Sequence, residues 1–402
     1  MAISFFSCEG VNESVMLKRL LVKKIMIRRE IKMTIALLYR EELKEYDFGP
    51  GHPFRGDRYE IFPRFLKERL PARGHYQFLR ADRATEGDLL LICQKEYIDF
   101  SREFYKAANC GLAYNDSRFC QFHSGDNRPA GRPGKLEEAA RLVAGQAKKA
   151  CDLIQGGQFE KVVSLGGGLH HAKPRWGEGF CIYNDVAFAG KYLLEEYKLH
   201  RVLILDTDAH AGNGTAEYFY EDPRVLFIDI HQDPRTLYPG TGFTHQMGQN
   251  AGKGYTINLP MPVQAGHLSY RLAFEEIVLP VTREFRPQVI VRNGGSDPHL
   301  ADSLTNLGLS ISGFRMIGET VREMAKICDG KVIDMIGSGY NKEILPYAWL
   351  ALIAGLANFP IQIEEPVPVP PGSKEDFSYE ETKAMIQELK KILREVWPCL
   401  AK

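Results

Sequence analysis

Between Arg201 and Gly214 the chain reads RVLILDTDAHAGNG, and its apolar run Val202-Leu203-Ile204-Leu205 stops on Asp206, Asp208 and His210. In an extended strand alternate side chains share a face, so these three project together while Thr207 and Ala209 point the other way. Two carboxylates and an imidazole crowded at a strand end repel one another unless a cation sits among them or a group gives up its charge. A bound metal resolves that conflict. Taken alone, Asp-Thr-Asp reads equally well as a solvated turn, so the rest of the chain has to decide.

Four further short runs end in polar residues of the same kind. KVVSLGGG (161–168) leads to His170-His171, RVLFIDIH (224–231) ends on His231, QVIVRNGG (288–295) leads to Asp297, and KVIDMIGSG (331–339) leads to Tyr340. Each is rich in Val and Ile and apolar on both faces, as strands buried in a parallel sheet are. Helix-like stretches lie between them at 185–198, 268–285 and 312–327. Strand alternating with helix predicts an α/β fold, a mainly parallel sheet flanked by helices with right-handed crossovers. Open parallel sheets bind ligands outside the carboxyl ends of their strands. Five strands would therefore aim their chemistry at one edge.

The bulk of the chain is ordinary for a soluble globular protein: 402 residues, 44% hydrophobic and 25% charged. Lys+Arg and Asp+Glu both number 51, which gives no general attraction to nucleic acid or to an anionic membrane. Eight cysteines are scattered without a Cys-x-x-Cys pair, so neither structural zinc nor a disulfide framework is expected, and a reducing cytoplasm fits. No apolar stretch approaches the roughly 20 residues of a membrane helix. Residues 1–32 are basic with short apolar runs and read as a non-core extension; Met33 opens the apolar run TIALLY, and the main domain is taken as 33–363. Residues 364–377 contain the proline-rich linker EEPVPVPPGS, and 378–402 form a C-terminal helix. In that helix Ser378 and Glu381 have capping-box spacing ahead of an apolar face of Met385, Leu389, Ile392 and Val396.

SLGGGLHHA, GEGFCIYND, LDTDAHAGNGT, YPGTG, NGGSD and GSGY follow in this order over about 180 residues, and GPGHPFRGDRYE stands at 49–60. This ordered set resembles the zinc-dependent histone deacetylase superfamily over roughly residues 35–360, and its DTDAHAGNG and NGGSD forms look closer to the class IV and bacterial or archaeal branches than to class I. The resemblance implies a single three-layer arginase/deacetylase-like domain. It makes 33–363 a deacetylase catalytic domain.

Position by position, the resemblance implies that Asp208, His210 and Asp297 hold the metal, zinc or alternatively Fe(II). Such a site would lower the pKa of a bound water to about 7. It makes His171 the acid/base, with His170 an electrostatic and orienting partner, and assigns Asp206 to hold His170 and Asn213 to hold His171. Asn213 is an amide where some branches carry a carboxylate, which should leave His171 less basic. Tyr340 becomes the hydroxyl donor to the oxyanion. Gly179, Phe180, Tyr238 and Leu304 match the substrate tunnel, and Asp126, with Asp116 as a weaker candidate, matches the rim carboxylate that grips a substrate backbone. A structural K+ or Na+ is implied near Asp206 and Asp229. Ala211 departs from the His or Gln common after the ligand.

Each of these residues also has a plainer explanation. Adjacent histidines are often an exposed turn, a tyrosine can close a sheet edge, and Phe or Leu is usually buried for packing. The implied activity is removal of an acetyl or other acyl group from a protein lysine or a small acylated amine. An acetylpolyamine hydrolase is the nearest alternative. An arginase-like manganese ureohydrolase would need further carboxylates where His170, His171 and Tyr340 stand, and a silent acyl-lysine reader would not need an intact acid/base set. Neither oligomeric state nor acyl-chain length is legible.

Overall fold

The computed structural model describes residues 35–72, 74–112, 116–369 and 376–401. Residues 1–32, read above as an extension, lie outside the described residues.

Eight strands run in chain order as β1 Ile35–Leu38, β2 Tyr76–Leu79, β3 Lys161–Leu165, β4 Val202–Asp206, β5 Val225–Gln232, β6 Thr256–Met261, β7 Val289–Gly294 and β8 Val332–Ile336. All pair in parallel, in the order β2-β1-β3-β8-β7-β4-β5-β6. The five strands read from the sequence are all present. The other three are β1, which lies within the apolar run TIALLY, and β2 and β6, which carry no clear two-sided apolar run. β2 is only four residues long at a sheet edge, and β6 contains Asn258 and Pro260.

The chain leaves β3 and returns to β4 three places away, and β7 and β8 later fill the gap. As a result β3, β8, β7 and β4 are neighbours, and each is followed by one part of the chemistry read from the sequence. Every residue of β4 and β7 is buried, which follows from helices covering both faces.

Helix Ile311–Met324 packs on the apolar helix Leu345–Ala357. A Cβ at Gly318 would lie 2.2 Å from Leu352 O, so glycine lets the two backbones approach. The helix expected over 268–285 occurs as His267–Ala273, a π turn at Phe274–Val278, and Leu279–Phe285. The π turn lies just before Pro280, which has no N–H to continue the ladder.

The C-terminal helix spans Tyr379–Leu393, and its buried residues are Thr382, Ile386, Leu389 and Leu393. Of the face read from the sequence only Leu389 is fully buried; Met385, Ile392 and Val396 sit half-buried beside it. The capping box does not form. Ser378 Oγ donates instead to Val263 O at 2.5 Å, and Asp376 accepts from Ser269 N and Oγ, so the hydroxyl ties the helix to the domain.

Candidate active site

Beyond β4 the chain curls on its own side chains: Asp208 N donates to Asp206 Oδ1 at 3.1 Å and His210 N donates to Asp208 Oδ1 at 2.8 Å. These bonds turn Asp208 and His210 toward Asp297, which follows β7. Ligand-capable atoms of the three lie within 4.8 Å of one another, and all three residues are buried. His210 Nδ1 is 3.1 Å from both Asp208 Oδ1 and Asp297 Oδ2. Ser338 Oγ, beyond β8, donates to Asp297 Oδ1 at 2.8 Å. Burial opposes charge on His210, but the two carboxylates hold its proton, and its pKa is pushed up to about 10. Burial and then Asp208 push Asp297 up to about 7. Two buried carboxylates that compete in this way need a cation, and one imidazole with two carboxylates fits a divalent metal.

The tandem histidines follow the Gly166-Gly167-Gly168 turn after β3. Asp185, at the start of helix Asp185–Glu195, accepts from Gly168 N at 2.9 Å and Leu169 N at 2.8 Å, which fixes the loop. His170 Nδ1 lies 2.8 Å from Asp206 Oδ2, and Asn293 Nδ2 donates to both Asp206 oxygens. His171 Nδ1 lies 2.8 Å from Asn213 Oδ1. The imidazoles therefore have different partners, a carboxylate and a neutral amide. Burial disfavours charge on His170, but Asp206 and Asp208 outweigh it and raise its pKa to about 9. Burial lowers His171 well below 6.5, and the charges of His170 and His210 add to that. At neutral pH one ring is an imidazolium and the other a free base.

Tyr340 follows β8 through Gly337, Ser338 and Gly339, and its N–H donates to Asp302 Oδ2 at 2.8 Å. Burial, then Asp297 and Asp208, keep its hydroxyl protonated well above its ordinary value, as a donor must be. Its ring centroid is 6.2 Å from that of His210 and 6.0 Å from that of Phe180. Arg58 lies 5.7 Å from the Tyr340 ring and donates to Gly337 O at 2.8 Å. One cavity is lined by Gly168, His170, His171, Gly179, Asp208, His210 and Tyr340.

Phe180 has φ +63° and packs 4.7 Å from the His52 ring, and Tyr238 packs 5.2 Å from His171. Tyr238 and Leu304 are 42% and 39% exposed, and neither is among the residues that line this cavity. Gly179 has φ +60°, and a Cβ there would lie 2.2 Å from His171 Cδ2, so only glycine lets the turn pass the imidazole. Asp126 lies beneath that turn: its Oδ2 accepts from Gly179 N at 2.8 Å, and its Oδ1 accepts from the Ser124 hydroxyl. Asp116 is paired with Arg118 at 2.7 Å instead. Asp229 Oδ2 accepts from Gly212 N at 2.8 Å, and Oδ1 is 2.9 Å from His231 Nδ1.

The structure thus brings together His170, His171, Asp206, Asp208, His210, Asn213, Asp297 and Tyr340 as read from the sequence. Asp185, Asn293, Ser338, Asp302 and Glu178 were missed as supports, although Asp185 and Glu178 stand within the quoted GEGFCIYND motif and Asn293 opens NGGSD.

An all-parallel eight-stranded α/β sheet with a buried Asp-His-Asp cluster beyond its central strands defines the arginase/deacetylase class. Comparison places the chain within that class. The family model of the histone deacetylase domain matches residues 52–356. A probable deacetylase of Archaeoglobus fulgidus is 34% identical over 382 residues, covering 91% of this chain and 99% of its own. The acetoin utilization protein AcuC of Staphylococcus aureus is 34% identical over 329 residues, covering 81% of this chain and 82% of its own. Among solved structures, the HDA15 HD domain superposes with a TM-score of 0.75 at 26% identity, covering 92% of this chain and 96% of that one. The chain belongs to the histone deacetylase family, and it is a hydrolytic deacetylase. No helix among the described residues is long and apolar enough to cross a membrane.

Proposed function

We propose that the protein hydrolyses the amide of an acylated lysine side chain, using a zinc-type divalent ion held by Asp208, His210 and Asp297. The carrying observation is the contrast between His170 on a carboxylate and His171 on an amide, beside the Asp-His-Asp cluster and Tyr340. When bound, such an ion polarises the substrate carbonyl and makes a neighbouring water acidic.

The protein's own residues supply the rest. His171, held through Nδ1, offers Nε2 to take a proton from the attacking water and return it to the departing amine. His170, kept positive by Asp206, stabilises the negative charge that develops and repels a proton from His171. The Tyr340 hydroxyl donates to the carbonyl oxygen as it becomes an oxyanion. Phe180 and Tyr238 offer aromatic surface to the apolar stem of lysine, and Leu304 extends it at the mouth. Asp126 supports the Gly179-Phe180 turn and leaves its remaining lone pairs for substrate N–H groups. A structural monovalent ion, K+ or Na+, belongs near Asp206 and Asp229, whose carboxylate also accepts from Gly212 N.

Catalysis is assigned to residues 33–363, with the C-terminal helix as a brace, acting in the cytoplasm without direct contact to nucleic acid or membrane. Turnover of an acetyl-lysine peptide and of N-acetylspermidine tests the substrate class. A kcat/KM at least about tenfold higher for the peptide is expected, a discrimination worth about 1.4 kcal/mol. Equal or faster turnover of the polyamine would move the function to small acylated amines.

A further inference from the structure

The amide of Asn213 can be turned either way around and still touch His171, and only one orientation leaves His171 able to act as a base. What chooses between them is Glu178. Asn213 Nδ2 lies 2.8 Å from Glu178 Oε1, and that carboxylate is also 2.9 Å from Lys173 Nζ and 3.1 Å from Trp176 Nε1. The Glu178 side chain is 15% exposed, and its three neighbours here are all donors.

A carboxylate facing an ammonium and an indole N–H is an acceptor only. The Asn213 edge pointing at it must therefore be the NH2, because a carbonyl there would place two acceptors 2.8 Å apart. The opposite edge, at 2.8 Å from His171 Nδ1, is then the carbonyl. A carbonyl accepts and cannot donate, so His171 must carry its hydrogen on Nδ1. Nε2 is left with a free lone pair. We infer that Glu178 is a positioning residue that sets the tautomer of His171 through Asn213.

An amide cannot carry a proton onward, so Glu178 takes no proton from His171. Its influence is on orientation and on which nitrogen is free. The inference rests on His171 as the base of the proposed reaction, yet the tautomer itself can be read without turnover.

The test is 15N NMR of the histidine side chains in the zinc-loaded, full-length protein, with kinetics on an acetyl-lysine peptide. Wild type should show His171 protonated on Nδ1 and bare on Nε2. Glu178→Lys replaces the acceptor by a donor, so Asn213 should turn over and the His171 proton should move to Nε2. The kcat should then fall about 100-fold with KM changed less than about twofold, the upper range for loss of an outer hydrogen-bond partner. Glu178→Gln keeps an acceptor oxygen and should restore the Nδ1 tautomer and most of kcat.

Should Glu178→Lys fail to fold, Glu178→Ala decides: a mixed tautomer and a kcat lower by about tenfold support the role. An Nε2–H tautomer in wild type overturns the inference, as does a folded Lys or Ala variant with unchanged tautomer and kcat. A wild type inactive on every acylated amine whose tautomer still follows residue 178 would sink the proposed function and leave this inference standing.

Discussion

His170 and His171 pack with ring centroids 4.1 Å apart and planes tilted by 55°, yet one is held as a cation and the other as a free base. Adjacent in sequence and equally buried, they differ in what each Nδ1 meets. Asp206 ends a strand and Asn213 begins the helix Asn213–Phe219, so the two partners come from either end of one loop.

Removing the charge on Asp206 should reverse that division. In Asp206→Asn the imidazolium of His170 loses its counter-charge, and its pKa drops from about 9 toward neutrality. The charged form is needed, so the sign is fixed: the alkaline limb of the kcat profile should move to lower pH. At pH 8 kcat should fall by about 10- to 100-fold. A pH profile that overlays wild type would show that His170 does not work through its charge.

Tyr340→Phe removes one donor to the oxyanion and leaves the ring contacts with Phe180 and His210 in place. The donor acts on charge that develops only during reaction, so kcat should drop by about two to three orders of magnitude while KM holds. Steady-state kinetics on correctly folded variant protein checks this. An unchanged kcat would remove Tyr340 from the mechanism.

Asp126 holds the N–H of Gly179, so its loss should loosen the turn that carries Phe180 to the Tyr340 ring. Asp126→Ala is expected to lower kcat/KM for peptide and small-amine substrates together, with the peptide losing more because it also offers backbone N–H groups. A loss confined to the peptide would mean that the carboxylate serves only substrate.

Leu389 is fully buried where the C-terminal helix meets the domain. Leu389→Ala should therefore cost about 2–5 kcal/mol in denaturant unfolding, the range for a buried leucine in a packed core. A cost below about 0.5 kcal/mol, the level of a surface substitution, would show the helix to be an appendage.

The candidate site is legible because its side chains sit immediately after buried strands, and buried strands announce themselves as apolar runs. Asp208, His210, Asp297 and Tyr340 all follow such runs. Their supports were harder to read. Asn293 is the fifth residue of β7, where it looks like a polar interruption, yet it donates to Asp206 across the neighbouring strand. Asp185 reads as a helix N-terminal acid and instead accepts from the loop after β3. Ser378 shows the converse: a local capping pattern lost to a tertiary partner, Val263 O, that no local window contains. The spacing of polar residues identifies the chemistry, whereas the topology that makes β3, β8, β7 and β4 neighbours decides who holds whom.

One divalent ion per chain at Asp208, His210 and Asp297 underlies the proposed hydrolysis, and titration of chelated protein with zinc tests it most directly. Acetyl-lysine hydrolysis should be absent at first and rise linearly to a break at one equivalent. Because His210 holds a proton up to about pH 10 before metal enters, uptake at pH 7 should release protons and tighten as pH rises. Asp208→Ala should neither bind the equivalent nor gain activity. A break at two equivalents of manganese, or full hydrolysis by protein stripped of metal, would contradict the account.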